Sequence, residues 1–310
     1  MSITIKHWYL PALLWAATVL TSCIRKDVED CQPLSVSIAV GDKNYSNINE
    51  VVGLGAPLQP EDENQPFIHY VKKLYYVLQE KATGKTVYTR HLHDVTGDHA
   101  MATADLPADL PFGEYVLTVW GNIESEVPID DDGTSYNFHI NQAQGYDAYM
   151  TCDTLLYDAY HANYVVSLHR LKGRLVIEAE QMPDGIRLSR KTISGLSASV
   201  DQDMEYSGSS SVATVLEWNA ATEDDMNSHT YLAPTVEGQQ SRLDMAFYDD
   251  PDDTTPLIAP KAVNINLERN TVTYVRYVYD HTTGKVDAYL AVDGGWKQIN
   301  DLELGEAEEP

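Results

Sequence analysis

Residues 34–40 read Leu-Ser-Val-Ser-Ile-Ala-Val, and this stretch decides the fold class. Large apolar side chains alternate with small ones, so one face of an extended segment is suited to a core and the other is not. The same period of two returns along most of the chain. It predicts further strands at residues 72–78, 86–90, 115–120, 171–179, 196–200, 212–218, 242–248, 263–267, 272–279 and 286–290.

Two of the intervening turns are nearly identical. Residues 82–85 read Ala-Thr-Gly-Lys and residues 282–285 read Thr-Thr-Gly-Lys, each between two strand patterns. Glycine at the third position supplies the positive φ that such hairpins need. Strands that follow one another every 8–12 residues, with turn residues between them, are typical of β-sandwiches and not of βαβ units. The sequence therefore predicts an all-β protein.

A chain of 310 residues has about twice the common domain length, so two domains are expected. The polar stretch 141–158 ends the first set of strands, and a fresh pattern begins at Leu171. We place the boundary near residues 162–169, which gives an N-terminal domain at 23–165 and a C-terminal domain at 166–310. The one segment with a weak helical pattern is 146–160.

The charge balance argues against two classes of partner. Lysine and arginine number 21 and the acidic residues 47, for a net charge of −26. Such a surface repels a phosphate backbone, so nucleic-acid binding is not expected. Adsorption to an anionic membrane depends on polybasic segments, and the chain has none.

The N-terminus predicts export and attachment to a membrane. Lys6 and His7 precede an apolar run at 8–19 that is too short for a permanent span, followed by Leu-Thr-Ser-Cys at 20–23. This arrangement is typical of a secretory signal peptide at 1–22, and the last four residues resemble a bacterial lipobox. In that interpretation Cys23 becomes the first residue and carries two or more acyl chains, which suffice for stable anchoring. An ordinary signal cut beside a coincidental cysteine is the alternative.

Two further cysteines remain outside the cytoplasm, where disulfides persist. Cys31 follows the lipid site closely and Cys152 lies near the end of the first domain. We predict a bridge between them, with two free buried thiols as the alternative. A Cys-x-x-Cys pattern is absent from the sequence, so a zinc knuckle is not supported.

The search for catalytic motifs returns little, and we predict no catalytic, cofactor-binding or metal-binding residues. The sequence lacks a nucleophile elbow, a P-loop, a zincin motif and a dinucleotide fingerprint. Two weak metal candidates stay open. One is a histidine cluster in which alternate strand positions would share a face, and the other is an acidic loop without the glutamate that an EF-hand needs. Their residues are His91, His93, Asp94, Asp98 and His99, and Asp130, Asp131, Asp132 and Gly133.

Twenty tyrosines invite a carbohydrate-binding interpretation, because exposed rings can stack on sugars. Tyrosine also suits half-buried strand positions, so packing is the stronger explanation. It applies to Tyr75, Tyr76, Tyr88, Tyr115, Tyr274, Tyr277 and Tyr279, and likewise to Trp120 and Trp218.

Three patches resemble one family. The first runs from the lipobox at 20–23 through Glu-Asp-Cys-Gln-Pro-Leu at 29–34. The second is Phe-Gly-Glu-Tyr-Val-Leu-Thr-Val-Trp-Gly-Asn at 112–122, and the third is Leu-His-Arg-Leu-Lys-Gly-Arg-Leu at 168–175. Together they resemble the FimB-type fimbrial subunits of Bacteroides-like bacteria, in the fimbrillin superfamily.

The resemblance implies two tandem transthyretin-like Greek-key β-sandwich domains, an outer-membrane lipid anchor and a place at the base or in the accessory parts of a fimbria. It implies no catalytic activity. The partners would be fimbrial shaft subunits, joined by strand exchange. A fimbrial tip adhesin and a surface glycan-binding lipoprotein are the alternatives.

In polymerising members of this family, proteolysis after a basic residue removes the first strand and opens a groove for a partner's strand. Here Lys43 is the only lysine or arginine between Cys31 and Lys72. A disulfide from Cys31 would hold the first strand in place even after a cut. We therefore expect this chain to keep its first strand and to anchor or terminate a fimbria.

Overall fold

The computed structural model describes residues 32–218 and 226–300. The predicted lipidation site Cys23 and the cysteine Cys31 lie outside these ranges. Among the described residues, no helix is long and apolar enough to span a membrane. The first half contains the strands β1 (Ser35–Val40), β2 (Lys73–Glu80), β3 (Lys85–Asp94), β4 (Ala102–Thr103), β5 (Gly113–Gly121), β6 (Ser135–Asn137), β7 (Tyr149–Tyr157) and β8 (Asn163–Arg170).

Two short helices, α1 (Ile48–Gly53) and α2 (Phe67–Tyr70), lie between β1 and β2, and a 3₁₀ turn (Ile140–Gln142) follows β6. The second half is made of β9 (Gly173–Glu180), β10 (Leu188–Leu196), β11 (Ser199–Asp201), β12 (Tyr206–Ser207), β13 (Ser210–Glu217), β14 (Met226–Leu232), β15 (Ser241–Tyr248), β16 (Val263–Ile265), β17 (Val272–Asp280), β18 (Lys285–Val292) and β19 (Gly295–Gln298). The all-β prediction is confirmed.

The first sheet folds over on itself. Its strand order is β3-β2-β5-β7-β8-β1-β4. The pairing between β7 and β8 consists of Tyr149 with Arg170 and Met150 with His169, so the sheet turns a corner there. The two arms enclose a core made from alternate residues of β1, β2, β5 and β8, including Ile38, Leu78 and Leu117.

The second half is a sandwich of separate sheets. A four-stranded sheet, β13-β10-β15-β16, faces a five-stranded sheet, β14-β9-β17-β18-β19. Between them lies a core that includes Ile193, Phe247 and Tyr277. A third small sheet, β12-β11-β6, joins a strand of the first half to two strands of the second, so the halves share backbone hydrogen bonds.

The boundary expected from sequence falls within one strand, β8. β8 pairs with β1 and belongs to the first sheet up to Arg170, whereas residue 165 ends the expected N-terminal domain. Its alternating residues at 164, 166 and 168 face the first core, which explains why the strand continues past the expected limit.

Both predicted hairpins are confirmed. Gly84 has φ +67° between β2 and β3, and Gly284 has φ +69° between β17 and β18. In each turn the glycine N–H donates a 2.8 Å hydrogen bond to the carbonyl four residues earlier. The packing interpretation of the tyrosines and tryptophans also holds, because five of the seven tyrosines named above and Trp120 are buried.

Two local predictions are wrong. Residues 149–157 form a strand, although the sequence suggested a weak helix over 146–160. The predicted strand at 196–200 is divided, because β10 ends at Leu196 and β11 begins at Ser199 in a different sheet. Ser197 separates the two and donates its N–H to the carbonyl of Pro234 at 2.8 Å.

Candidate strand-exchange site around the first strand

The first strand is held along its whole length on one side and only briefly on the other. β1 pairs in parallel with β8 through six consecutive residues, from Ser35–Asn163 to Val40–Leu168. On the opposite side β4 pairs with Ser37 and Ile38, and Ala104 N–H donates to the Val36 carbonyl at 2.9 Å. Most of this second edge is therefore short of strand partners among the described residues.

The inward side chains of β1 form part of the first core. Val36 and Ile38 are fully buried, and Leu34 and Val40 are nearly so. Burying an aliphatic side chain of this size contributes about 1.5–3 kcal/mol, so four contribute roughly 6–12 kcal/mol before the cost of ordering the strand. Ordering costs about 1–2 kcal/mol per residue. The groove that β1 fills would accept a replacement strand only with a similar apolar pattern.

The chain leaves β1 through a tight contact. Gly41 N–H donates to the Leu168 carbonyl at 2.9 Å, and a Cβ on Gly41 would lie 3.1 Å from the His169 ring. The Asp42 carboxylate then accepts the Arg170 backbone N–H at 2.9 Å and lies 3.5 Å from the Arg269 guanidinium. The C-terminal end of β1 is thus tied to the end of β8.

Lys43, the residue after which a trypsin-like protease would cut, is part of a second contact. Its ammonium donates to the Glu63 carbonyl and lies 5.7 Å from the centre of the Tyr70 ring. The neighbouring Asn44 amide donates to the Glu61 carbonyl at 3.1 Å and accepts the Glu61 N–H at 2.7 Å. Cleavage after Lys43 would require this paired segment to open, because a protease binds its substrate as an extended, separate chain.

Residues 45–58 continue from this point as a strap across the second half of the molecule. Ile48 and Val51 from α1 pack with Val176 and Tyr274 in a separate apolar cluster. The Asn47 side chain makes two hydrogen bonds to the backbone of Val272, the first residue of β17. Its NH₂ group donates to the Val272 carbonyl and its oxygen accepts the Val272 N–H, both at 2.8 Å. The strap couples the end of β1 to the outer face of the five-stranded sheet.

A buried arginine fastens the strap and both halves together. The Arg170 guanidinium forms an ion pair with Asp147 at 2.9 Å and donates to the Tyr149 hydroxyl at 2.6 Å. It also donates to the Asn270 side-chain oxygen at 2.7 Å, and it lies over the Tyr45 ring at 4.1 Å. Burial is the main reason that the pKa of the Tyr45 phenol is raised. Sequence reasoning singled out the Leu-His-Arg patch but not these partners, which lie far apart in the chain.

The Trp-Gly-Asn patch has a structural role next to this arginine. The Trp120 indole N–H donates to the Gly133 carbonyl at 2.9 Å. A Cβ on Gly121 would lie 3.0 Å from the Val71 side chain. Asn122 has φ +55°, and its side chain donates to the Tyr70 carbonyl at 2.6 Å and accepts the Lys72 N–H at 2.7 Å. The patch closes β5 against the segment that begins β2.

Cys152 lies on β7, and the segment before β1 contacts the same strand at a different position. The Cys152 thiol accepts a hydrogen bond from Thr118 on the face opposite the first core, where burial raises its pKa. Gln32 instead accepts the Tyr157 hydroxyl at 3.0 Å, five residues further along β7 and on the other face. Cys31 lies outside the described residues, so the bridge to Cys152 stays a prediction.

The two weak metal candidates do not assemble into sites. A bulge at residues 91–92 lets two β3 residues oppose one residue of β2, so His91 contacts Tyr75 while His93 contacts Tyr76 on the other face. The prediction that the two imidazoles share a face is therefore wrong. In the acidic loop, Asp130 accepts four hydrogen bonds from Thr134 and Ser135 and acts as a turn residue. No group of three metal-ligating side chains occurs within 32–218 and 226–300.

Comparison with solved structures identifies proteins that share this fold. A candidate adhesin from Bacteroides ovatus aligns with a TM-score of 0.54 and 12% identity over 90% of this chain and 98% of its own. The fimbrial anchor protein Mfa2 from Porphyromonas gingivalis aligns with a TM-score of 0.51 and 13% identity over 86% and 99%. The chain has the fold of these adhesin and fimbrial anchor structures.

A third structure, a candidate polysaccharide-binding protein from Bacteroides thetaiotaomicron, aligns with a TM-score of 0.54 and 12% identity over 87% of this chain and 99% of its own. No family model and no curated protein matches the sequence. The resemblance inferred from the three sequence patches is thus confirmed at the level of the fold.

Proposed function

We propose that this protein is an outer-membrane lipoprotein subunit of a fimbria, which anchors or terminates the polymer and joins other subunits by strand complementation. The observation that carries the proposal is the fastening of β1 at its C-terminal end, through Asp42, Lys43 and Asn44. The fold shared with a fimbrial anchor protein supports it. The two halves would then be the two tandem transthyretin-like Greek-key domains of such subunits.

Retention of β1 gives the subunit its position in the polymer. A subunit that loses its first strand exposes an apolar groove and accepts a strand from the next subunit. A subunit that keeps β1 has that groove filled by its own Val36 and Ile38. Such a subunit cannot accept a strand there, so it ends the chain of donor and acceptor contacts.

The membrane attachment in this proposal is the lipid on Cys23. Acylation would hold the protein at the outer membrane with the fimbria extending from the cell. The proposed bridge between Cys31 and Cys152 would add a covalent restraint, but the contacts of Lys43 and Asn44 act without it.

Strand complementation also needs a free edge, and β13 offers one. It pairs with β10 on one side and with no other strand of the described ranges. Residues 210–216 carry no charge, and Val215 and Leu216 are exposed. Natural edge strands are usually protected by charges, prolines or bulges. We propose that β13 receives an extended strand of another fimbrial subunit.

The first experiment isolates the role of the lipid by comparing fimbriae from cells that carry Cys23→Ala with those from cells that carry the control Cys152→Ala. We expect Cys23→Ala to release fimbriae into the medium or to change their length, while the control leaves them attached. Mass spectrometry of the mature N-terminus should show acyl chains on Cys23 in the parent protein. Fimbriae of normal length that remain on Cys23→Ala cells would overturn the anchor assignment.

The second experiment addresses the edge. Val215→Lys places a charge on the exposed face of β13, and Val127→Lys does the same at an exposed turn position outside the strands. We expect affinity purification with the first variant as bait to recover at least tenfold less shaft subunit. Purification with the second variant should recover the normal amount. Equal recovery with both variants would exclude β13 as the docking edge.

A further inference from the structure

A cleft of about 460 Å³ opens where the two halves meet, beside the buried arginine. Its walls come from separate parts of the chain. The first half contributes Lys43, the end of α2, the start of β2 and the residues before β7, and the second half contributes Tyr231 from β14. A volume of this size lies in the range of small-molecule sites, which is about 300–1,000 Å³.

The charge of the cleft is opposite to that of the molecule. Lys43, Lys72 and Lys73 line it, against a single carboxylate, Glu61, that is not already paired with Arg170. The side-chain nitrogens of Lys72 and Lys73 contact no acceptor among the described residues. In a protein with a net charge of −26, this excess of cations attracts an anion that the surrounding surface would repel.

The remaining lining suits a sugar ring more than a bare anion. Tyr146 and Tyr231 both line the cleft, the first half exposed and the second partly exposed. Aromatic faces pack against the C–H groups of sugars, while the lysines and the His69–Glu61 pair supply polar contacts. An inorganic anion would leave most of the cleft unfilled.

The floor of the cleft is rigid. Arg170 and Asp147 form a buried ion pair, and the Tyr149 hydroxyl accepts from the first at 2.6 Å. Asn122 is held by its hydrogen bonds to the Tyr70 carbonyl and the Lys72 N–H. The contact with Asn122 fixes the backbone of Lys72 in the wall of the cleft, and such preorganisation lowers the entropic cost of binding.

We propose that this cleft binds an acidic sugar, one or two residues long, whose carboxylate lies between Lys72 and Lys73 and whose ring packs on Tyr146. Uronic acids and sialic acids share this chemistry, the first in bacterial and host polysaccharides and the second at the ends of host glycans. The cleft shares Lys43 with the segment that fastens β1, but it contains no residue of β1 or β13, so sugar binding and anchoring can be tested separately.

The test is ligand-observed NMR and calorimetry on the mature lipoprotein in detergent. Glucuronic acid and N-acetylneuraminic acid form the two arms, with glucose and acetate as neutral and non-sugar controls. We expect millimolar or tighter binding of at least one acidic sugar, and at least tenfold weaker binding of both controls. Equal binding of glucose or acetate, or no binding of either acidic sugar at 10 mM, would overturn the proposal.

The variant K72Q/K73Q should lower the affinity for the acidic sugar at least tenfold. K85Q/K297Q removes the same charge from an exposed hairpin and an exposed edge strand, and it should leave the affinity unchanged. Thermal unfolding checks that both double variants fold. Sugar binding that K72Q/K73Q leaves unchanged would place the ligand elsewhere, whereas loss of binding with normal fimbriae would leave the anchor function intact.

Discussion

At the scale of single residues, a buried histidine links the two halves of the molecule. His139 lies just before the 3₁₀ turn with φ +54°, a conformation that few residues other than glycine adopt readily. Its Nδ1–H donates to the Ala143 carbonyl at 3.0 Å, and its Nε2 accepts the Ala233 N–H at 2.9 Å. The ring must be neutral to make both bonds. Burial lowers its pKa to about 3.

This histidine predicts an acid dependence of stability. Between its ordinary pKa of 6.5 and about 3, the unfolded chain binds a proton at this ring and the folded chain does not. Stability therefore falls as the pH falls through that window. We expect His139→Asn, which tolerates the same backbone, to show a smaller loss of unfolding free energy between pH 7 and pH 4.5 in urea titrations. The exposed control His99→Gln should match the parent, and an unchanged slope in His139→Asn would contradict the assignment.

A buried lysine predicts a second pH dependence of stability, on the alkaline side of neutrality. The Lys191 ammonium lies inside the second sandwich, 2.5 Å from each of the Ser228 and Thr230 hydroxyls, and burial lowers its pKa to about 7. From pH 7 to the ordinary value of 10.5 the unfolded chain holds a proton that the folded chain lacks. Stability should therefore rise with pH across this window, because unfolding takes up that proton.

Replacing this lysine should remove both the free-energy cost of burying its charge and the pH dependence of stability that follows from it. We expect Lys191→Met to increase the free energy of unfolding at pH 7 by about 2–5 kcal/mol, since a shift of one pKa unit corresponds to about 1.4 kcal/mol. The gain should shrink at pH 9.5. Urea titrations at both pH values measure it, with the exposed Lys285→Met as the control. A destabilised Lys191→Met would show that the hydroxyl contacts outweigh the desolvation.

At the scale of elements, the contacts after β1 predict resistance to proteolysis. Trypsin should cut after Lys43 at least a hundredfold more slowly than after Lys81 in the exposed turn between β2 and β3, because the first bond requires local opening. Asn44→Ala removes two hydrogen bonds to Glu61 and should speed cleavage after Lys43 several-fold. Asn266→Ala, at an exposed position elsewhere, should not. Mass spectrometry of timed digests follows both bonds, and equal rates for them would refute the fastening of β1.

The same elements show why sequence predicts some strands and not others. The hairpins at Gly84 and Gly284 were readable, because the turn residue and the flanking alternation agree. Strand β7 could not be predicted in this way. Its inward positions include Thr151 and Asp153, which share a 2.7 Å hydrogen bond, so the apolar alternation is interrupted in the sequence. A polar pair of this kind is visible only once the fold has brought its side chains to one face.

The candidate site was readable to a similar extent. The choice of β1 and Lys43 as the candidate site came from the alternation at 34–40, from the scarcity of basic residues and from the processing that the family resemblance implies. The bulge that separates His91 from His93 was not predictable, because its extra backbone N–H at Leu92 is satisfied by Glu126, more than thirty residues away. That hydrogen bond also lowers the pKa of the Glu126 carboxyl. Contacts between distant residues decided what alternation alone left open.

At the scale of the whole molecule, the strap and the shared sheet predict that the two halves unfold together. Residues of the first half cover the outer face of the five-stranded sheet, and β6 pairs with β11 across the junction. Separation of the halves would expose Ile48, Val51 and Tyr274 and break the hydrogen bond from Arg170 to Asn270. The strap contact is an apolar cluster of its own, built from residues of both halves, and it would be lost if the halves separated.

Calorimetry should accordingly record a single transition, with equal calorimetric and van't Hoff enthalpies. Val51→Asp puts a carboxylate into the buried strap contact and should lower the free energy of unfolding by about 3 kcal/mol or more. Because the contact belongs to both halves, the two halves should unfold in one transition in the parent protein. Any separation into two transitions should occur only in Val51→Asp. Val87→Asp, at an exposed position on β3, should leave the transition unchanged. Two resolved transitions in the parent protein would mean that neither the strap nor the pairing of β6 with β11 couples the halves.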